Sequence, residues 1–228
     1  MNRVAGVGDR VDPARMPATA AAVAGLYAIT PEDTDTDRLA RKVEAALAGG
    51  ARLIQYRSKS RHAAARRAQA ERLLGLCRRA GAPLIVNDDL ELALASGANG
   101  VHLGREDGDV AAARARLGAD RLLGVSCYDS LDLAMAAVAA GADHVAFGSA
   151  FASPTKPKAV RAPTALFAQA RSRLPVPIVA IGGITLENAP LVIEAGAHAV
   201  AVITALFDAE DIGAAAAAVR GLFQRKKT

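Results

Sequence analysis

The stretch Pro83-Leu84-Ile85-Val86-Asn87-Asp88-Asp89 runs from an apolar segment directly into an amide and two carboxylates. The apolar part is too short for a helix and is typical of a strand that is buried on both faces. The polar triplet then lies where the strand leaves the core, which is where α/β folds present their chemistry. The simpler alternative is that Asp88 or Asp89 caps the next helix. The recurrence of the pattern along the chain favours the first interpretation.

A repeated signature precedes the short apolar segments. It consists of glycine, alanine, one or two polar residues and then a strand-like run. Glycine can end a helix in the left-handed conformation, so each copy indicates a helix end followed by a strand start. The copies begin at Gly50, Gly81, Gly97, Gly118, Gly141 and Gly196.

The segments between these strands have helical spacing. Further strands are predicted at Gly25–Thr30 and Pro175–Ile181, which gives eight strand–helix units. Helix-linked parallel strands need cover on both faces, and eight such units close into a barrel. The sequence therefore predicts an α/β fold, a single-domain (β/α)8 TIM barrel over residues 23–228 with a short N-terminal extension over residues 1–22; a doubly wound open sheet is the rival. The predicted helices are Asp35–Ala48, Arg61–Ala80, Leu90–Ser96, Asp109–Leu117, Ser130–Ala140, Pro163–Arg173, Leu186–Ala195 and Asp208–Phe223.

Composition limits the class of partner. The 228 residues are 52% hydrophobic and 22% charged, which is typical of a globular protein. The net charge is +5, but the basic residues are scattered and only Arg225-Lys226-Lys227 forms a run. With 4% aromatic residues and no tryptophan there is little on which bases could stack. We therefore expect anionic small molecules and not nucleic acid as partners, and leave homo-oligomerisation open.

The cysteines and the N-terminus bear on location. Cys77 and Cys127 have neither metal-like spacing nor a disulfide framework, so we expect both to be reduced. No segment has the length of a membrane span. Charged residues and prolines interrupt the first twenty residues, unlike a signal peptide. These features predict a cytoplasmic protein without a membrane partner.

Charged residues follow several of the predicted strands. In a barrel of this kind the active site lies at the carboxyl ends of the strands, so these residues meet at one rim. Arg57, Lys59 and Lys156 can oppose several negative charges, while Asp88 and Asp107 can hold a hard divalent cation. Mg²⁺ typically binds one or two carboxylates together with substrate phosphates. This inventory predicts a diphosphate with Mg²⁺ as the cofactor.

The last two strands predict a second anion site. Gly182-Gly183 and Val202-Ile203-Thr204 follow strands 7 and 8. Loops at these positions form the usual monophosphate site of the fold, because glycine leaves backbone N–H groups accessible. The rim is thus expected to hold a diphosphate and a separate monophosphate.

Several of these residues have simpler interpretations. Arg57 and Lys59 could form a solvated loop pair, Asp107 could cap the helix after Gly108, and His102 could be a hydrogen-bonded barrel histidine. None of the rim residues is expected to be an activated nucleophile. Ser126 has no evident base, and Cys127 has no activating arrangement and is expected to fill space together with its neighbour Tyr128.

With these residues, the chain resembles the thiamine phosphate synthase (thiamine-phosphate pyrophosphorylase) family. The resemblance runs from Leu26 to about Leu206, and its motifs follow one another in order at consecutive strand ends. One such motif alone would be weak evidence for the family, whereas the full series in order is strong evidence. The matching segments are Gln55–Lys59 (Q-x-R-x-K), Asn87–Asp89 (N-D-D), Gly100–Asp107 (G-V-H-L-G-Q-x-D), Gly124–Ser126 (G-x-S), Phe147–Lys156 (F-G-P-x-F-x-T-x-T-K) and Ala180–Ile184 (A-I-G-G-I).

The resemblance implies an enzyme that joins a pyrimidine diphosphate to a thiazole phosphate, or to its carboxylated form, and releases diphosphate. Asp88 and Asp107 would bind Mg²⁺, and Lys156, Arg57, Lys59 and Ser126 would be catalytic. The pyrimidine diphosphate would contact Gln55, Tyr56, Arg57, Ser58, Lys59, Asn87, Ser126 and Lys156. The thiazole phosphate would contact Ser153, Pro154, Thr155, Gly183, Ile203 and Thr204.

The chain departs from the family pattern at four positions. Arg105 replaces the usual Gln, Ser149 the usual Pro, Ser153 a Thr and Thr204 a Ser. Two other functions stay open: a thiazole tautomerase of similar sequence, and a non-enzymatic phosphate-binding barrel. The tautomerase would need neither the diphosphate cations nor the Mg²⁺ ligands, so Arg57 and its partners argue against it.

Overall fold

The barrel strands occupy the centre of the molecule, in a computed structural model that describes residues 23–152 and 160–224. Every strand pairs in parallel with the next along the chain, and the first pairs with the last. The sheet is therefore closed, which confirms the predicted barrel and excludes the open sheet. The strands are β1 Gly25–Ile29, β2 Leu53–Tyr56, β3 Leu84–Asn87, β4 Gly100–Leu103, β5 Leu122–Tyr128, β6 His144–Phe147, β7 Ile178–Ile181 and β8 Ala199–Val202.

Helices alternate with the strands, as predicted. In the last unit the long helix begins four residues later than predicted, at Ile212 and not Asp208, because a separate short helix follows β8 directly. The described helices are α1 Thr36–Gly49, α2 Ala63–Ala80, α3 Leu90–Ser96, α4 Val110–Leu117, α5 Leu131–Ala139, α6 Thr164–Arg173, α7 Ala189–Glu194, α8 Thr204–Phe207 and α9 Ile212–Gln224. In the described ranges, no helix has the length and apolar character needed to cross a membrane.

Three groups of predictions concern residues outside the described ranges. These are the N-terminal extension over residues 1–22, the basic run Arg225-Lys226-Lys227, and the rim residues Ser153, Pro154, Thr155 and Lys156.

The repeated glycine signature ends α1, α2 and α3 as predicted, but Gly118 ends α4 outside the left-handed conformation, and alanines are the C-caps of α5 and α7. Gly50, Gly81 and Gly97 follow α1, α2 and α3 in the left-handed conformation, and their N–H groups bond back to the last turn. Some helix starts use side-chain caps: Asp35 and Ser130 accept hydrogen bonds from the backbone N–H three residues later. Local sequence therefore sets several of the strand–helix boundaries.

Apolar side chains alternate between two layers. Tyr27, Leu53 and Ile85 belong to the cluster inside the barrel, while Leu26 and Ile54 belong to the larger cluster between the sheet and the helices. The strands are thus buried on both faces, as their apolar runs predict. The alternation also decides which strand residues can reach the interior.

Small residues on both helices allow α1 and α9 to pack closely. A Cβ atom built on Gly49 would lie 2.3 Å from the carbonyl oxygen of Gly213 and 2.6 Å from the Cβ of Ala216. A backbone oxygen cannot move aside as a flexible side chain can, so any larger residue must separate the helices. This contact joins the first helix of the ring to the last.

We expect Gly49→Ala to destabilise the protein by roughly 1–3 kcal/mol through overpacking. Gly75→Ala in the interior of α2 is the control, because its Cβ would meet nothing closer than 3.7 Å. That change should stabilise the protein by about 0.5–1 kcal/mol through its higher helix propensity. Urea unfolding of both variants gives the two free energies; an equal effect of the two substitutions would contradict the close-packing account.

Candidate functional site

A cavity of about 720 Å³ opens at the carboxyl ends of the strands and reaches into the barrel. A second cavity of about 660 Å³ adjoins it on the side of β2, β3 and β4, and the two share Arg57, Asn87, Asp88 and Asp107. Ser58 and Lys59 line the second cavity only. Of the described residues predicted for the site, those lining the first cavity are Gln55, Arg57, Asn87, Asp88, Asp107, Ser126, Gly183, Ile203 and Thr204.

The two carboxylates predicted as metal ligands lie together at this rim. Asp88 has a φ of 63°, and its N–H donates to the carbonyl of His102 at 2.8 Å. Burial, together with the neighbouring carboxylate of Asp107, raises the pKa of Asp88 to about 6. Asp107 Oδ2 in turn accepts from the N–H of Gly104 at 2.7 Å. The pair is an oxygen donor set with concentrated negative charge.

Helix capping does not account for either carboxylate. Asp89, and not Asp88, caps α3 by accepting from the N–H of Leu92 at 2.8 Å. Asp109, and not Asp107, caps α4. The capping alternative is therefore wrong for Asp88 and Asp107, and the adjacent aspartates supply the caps.

Tyr56 lies away from the cavity. Strand alternation turns it toward α2, where its hydroxyl donates to Gln69 Oε1 at 2.7 Å in the buried outer layer. Gln55 faces the barrel interior, and its Nε2 donates to the hydroxyl of Tyr27 at 2.7 Å. Gln55 but not Tyr56 is thus on the surface that a substrate in the cavity could touch.

Two buried histidines lie next to each other inside the barrel, and His102 lines the first cavity. His102 Nε2 is 2.9 Å from Ser126 Oγ, and the rings of His102 and His144 have centroids 5.6 Å apart. Gly124 makes room for them, because a Cβ there would lie 2.2 Å from His144 Nε2. Burial lowers the pKa of His102 to about 4 and lowers that of His144 as well. Both imidazoles are therefore neutral at physiological pH.

No base for Ser126 is evident from the sequence, but the structure places His102 within hydrogen-bonding distance of it. Sequence spacing could not reveal this, because the two residues come from different strands. The pair nevertheless lacks the features of an activated nucleophile. His102 Nδ1 has no partner among the described residues, and a base with a pKa of about 4 takes a proton poorly. Cys127 is fully buried, which raises its pKa to about 12.

Arg105 is held against an aromatic ring at the cavity edge. Its guanidinium carbon lies 4.7 Å from the ring centroid of Tyr128, and the backbone N–H of Arg105 donates to the Tyr128 hydroxyl at 3.3 Å. Both residues line the first cavity. This cation–π contact fixes a charge at a position where the family pattern has an uncharged glutamine.

The glycine pair after β7 adopts a conformation that requires glycine. Gly182 and Gly183 have φ angles of 96° and 62°. A Cβ on Gly183 would lie 2.2 Å from the carbonyl oxygen of Ala152. Asn188 fixes the loop, since its Nδ2 donates to the Gly183 carbonyl at 2.8 Å and its Oδ1 accepts from Thr185. This loop and the start of α8 face the same cavity.

The chain matches a family profile described as thiamine monophosphate synthase over residues 26–206. It is 60% identical over 199 residues to the thiamine-phosphate synthase of Aromatoleum aromaticum, covering 87% of this chain and 96% of that protein. It is 58% identical over 199 residues to the corresponding protein of Thiobacillus denitrificans, covering 87% and 94%.

A solved structure agrees with these sequence relationships. The thiamine phosphate pyrophosphorylase from Pyrococcus furiosus superimposes with a TM-score of 0.79 at 33% identity, over 90% of this chain and 97% of that one. The family match over residues 26–206 contains the carboxyl end of every strand of the barrel.

We expect Gly183→Ala to disrupt the loop after β7. Gly81→Ala is the matched control, because Gly81 has a similar φ of 67° but nothing within 4 Å of its Cβ position. The backbone strain is equal in the two variants, at about 1–2 kcal/mol. The clash at Gly183 should therefore destabilise that variant by roughly 1–3 kcal/mol more. Denaturant unfolding measures the difference, and equal losses would show that the loop is not crowded.

Proposed function

The chain belongs to the thiamine monophosphate synthase family, and we propose that its strand-end rim binds a pyrimidine diphosphate and a thiazole phosphate side by side. The enzyme is a transferase of thiamine biosynthesis that condenses a pyrimidine with a thiazole moiety. The proposal rests on one observation. Cations and a pair of carboxylates lie after strands β2 to β4, a glycine loop lies after β7, and all of them line the same cavity. In a closed eight-stranded ring, β3 and β7 lie on opposite sides.

The pyrimidine diphosphate is proposed to lie on the β2–β5 side. Arg57 lines both cavities and Lys59 lines the second cavity, so their charges can oppose the diphosphate from two directions. Gln55 and Ser126 face the barrel interior, where the pyrimidine ring would lie. Asn87 and Lys156 are assigned to the pyrimidine diphosphate by the family motifs.

Mg²⁺ is the proposed cofactor, and Asp88 and Asp107 are the proposed ligands. The donor set fits: both groups are hard oxygen ligands, and burial together with the adjacent Asp107 carboxylate raises the pKa of Asp88, a cost that a bound cation would relieve. In the described part of the chain, no cluster of three or more His, Cys, Asp or Glu residues could form an all-protein cage. Two carboxylates plus substrate phosphates is the usual Mg²⁺ arrangement. When bound, the ion would neutralise charge on the departing diphosphate.

The thiazole phosphate is proposed to lie on the opposite side of the cavity. Gly183 has a positive φ and no side chain of its own to cover the backbone N–H groups of this loop. Ile203 and Thr204 follow β8 at the same rim. Ser153, Pro154 and Thr155 are assigned here by their motif alone.

We propose a dissociative reaction. The C–O bond between the pyrimidine methylene and the diphosphate breaks with its electron pair on the diphosphate, and the thiazole nitrogen then forms the new C–N bond. Arg57, Lys59 and Lys156 share the growing negative charge, while the aminopyrimidine ring delocalises the positive charge. The low pKa of His102 and the burial of Cys127 support a path without a covalent enzyme intermediate.

The direct test of the function uses purified protein with both substrates. Formation of thiamine phosphate with an equal amount of diphosphate supports the proposal. Conversion of the thiazole phosphate alone, without the pyrimidine, would favour a tautomerase instead, and the absence of any turnover would favour a phosphate-binding barrel.

For the metal site, we expect Asp88→Asn and Asp107→Asn each to lower kcat by about a hundredfold or more. The negative charge on the departing diphosphate would then lack the Mg²⁺ that neutralises it. EDTA should abolish turnover and added Mg²⁺ should restore it. Asp109→Asn is the control, because asparagine caps a helix as well as aspartate does and should keep α4 and activity intact. Full turnover in EDTA would contradict the assignment.

For the mechanism, we expect a pyrimidine substrate with trifluoromethyl in place of methyl to react much more slowly. The substituent withdraws electrons and destabilises the cation directly, so the loss should exceed the roughly hundredfold typical of removing one stabilising group. Single-turnover rates measure this effect apart from product release. A nearly unchanged rate would indicate direct displacement.

A further inference from the structure

Glu32, in the loop between β1 and α1, holds the cation-bearing loop after β2. Its carboxylate accepts the backbone N–H of Lys59 on both oxygens, at 3.0 and 2.9 Å. It also accepts the hydroxyl of Ser58 at 3.1 Å. The Ser58 hydroxyl is therefore engaged by Glu32, while Ser58 also lines the second cavity.

Thr30 makes a second set of contacts to the same loop. Its side chain is fully buried, and Oγ1 accepts the N–H of Arg57 at 2.9 Å. The same hydroxyl donates to the carbonyl of Arg57 at 3.3 Å. Thr30 and Glu32 together fix the backbone of Arg57 and Lys59, the two described cations proposed to face the diphosphate.

The loop that carries Glu32 is itself anchored. The carbonyl of Asp33 accepts from Gln69 Nε2 at 2.9 Å, and the Asp33 carboxylate accepts from Arg38 Nη2 at 2.6 Å. Gln69 in turn accepts the hydroxyl of Tyr56 at 2.7 Å. The support therefore runs from α2 and α1 through the β1–α1 loop to the β2–α2 loop.

Stability alone is a poor reason for the contacts that Glu32 makes. Glu32 and Lys59 are exposed, and solvent-exposed hydrogen bonds of this kind contribute little to folding because water can replace them. A carboxylate near an anion site also repels the ligand. Its presence is explained if the gain is a loop held in one conformation, since a small misplacement of charged groups costs much catalysis.

We propose that Thr30 and Glu32 are positioning residues that aim Arg57 and Lys59 at the diphosphate. The inference rests on the proposed function, and it adds two residues of the loop after β1 that the motifs of the site do not include. Ser58 belongs to the same set of contacts through its hydrogen bond to Glu32.

The test is calorimetric titration of the full-length protein with inorganic diphosphate and Mg²⁺, and separately with the thiazole phosphate. We expect Glu32→Ala and Thr30→Val each to weaken diphosphate binding by about tenfold or more, which is roughly 1.4 kcal/mol. Binding of the thiazole phosphate should change less than about twofold, because its subsite lies across the barrel. Thr30→Ser keeps the hydroxyl and should behave like the wild type, as should Glu44→Ala on the exposed face of α1.

Two results would overturn the proposal. One is diphosphate binding by both Glu32→Ala and Thr30→Val within twofold of the wild type. The other is an equal loss of both ligands with a lowered Tm, which indicates general structural support. Arg57→Ala distinguishes a failure of the proposed diphosphate site from a failure of the positioning role. If that variant binds diphosphate normally, the proposed diphosphate site itself is wrong; if only that variant loses affinity, the positioning role alone fails.

Discussion

Closure of the sheet by the hydrogen bonds between β1 and β8 is the constraint on which the site depends. The register pairs Gly25 with Ala199 and Ala28 with Val202, so the first and last strands end at the same level. Because all strands are parallel, their carboxyl ends then form one ring. Residues as distant in sequence as Tyr27 and Thr204 line a single cavity for this reason. Without closure, the anion sites proposed after β3 and β7 would face separate edges.

Local rules explain why the fold and much of the rim could be predicted from the sequence. A left-handed glycine and a short apolar run need no partner to be recognised, and Gly81 with the following strand behaves as they predict. Asp88 and Asp107 could also be placed, because each follows a strand and neighbouring parallel strands end together. The start of the last helix was misplaced because α8, with only four residues, has too little periodicity to be detected.

Long-range contacts are what the sequence could not predict. The hydrogen bond between His102 and Ser126 depends on the side-chain directions of two strands, and His144 reaches the same layer only because Gly124 has no side chain. Tyr56 lies in a motif with substrate-binding residues, yet the alternation of β2 turns it toward Gln69. The support of the 57–59 loop by Thr30 and Glu32 is likewise non-local. Buried polar contacts are specified by geometry that a linear pattern does not contain.

The central claim is that one closed rim holds two different anions on opposite sides of one cavity. A crystal structure of the protein with Mg²⁺, inorganic diphosphate and thiazole phosphate tests it most directly. The account predicts diphosphate density beside Arg57 with Mg²⁺ on Asp88 and Asp107, and a monophosphate against the loop at Gly183. Both anions at one of these places, or either of them outside the rim, would contradict it.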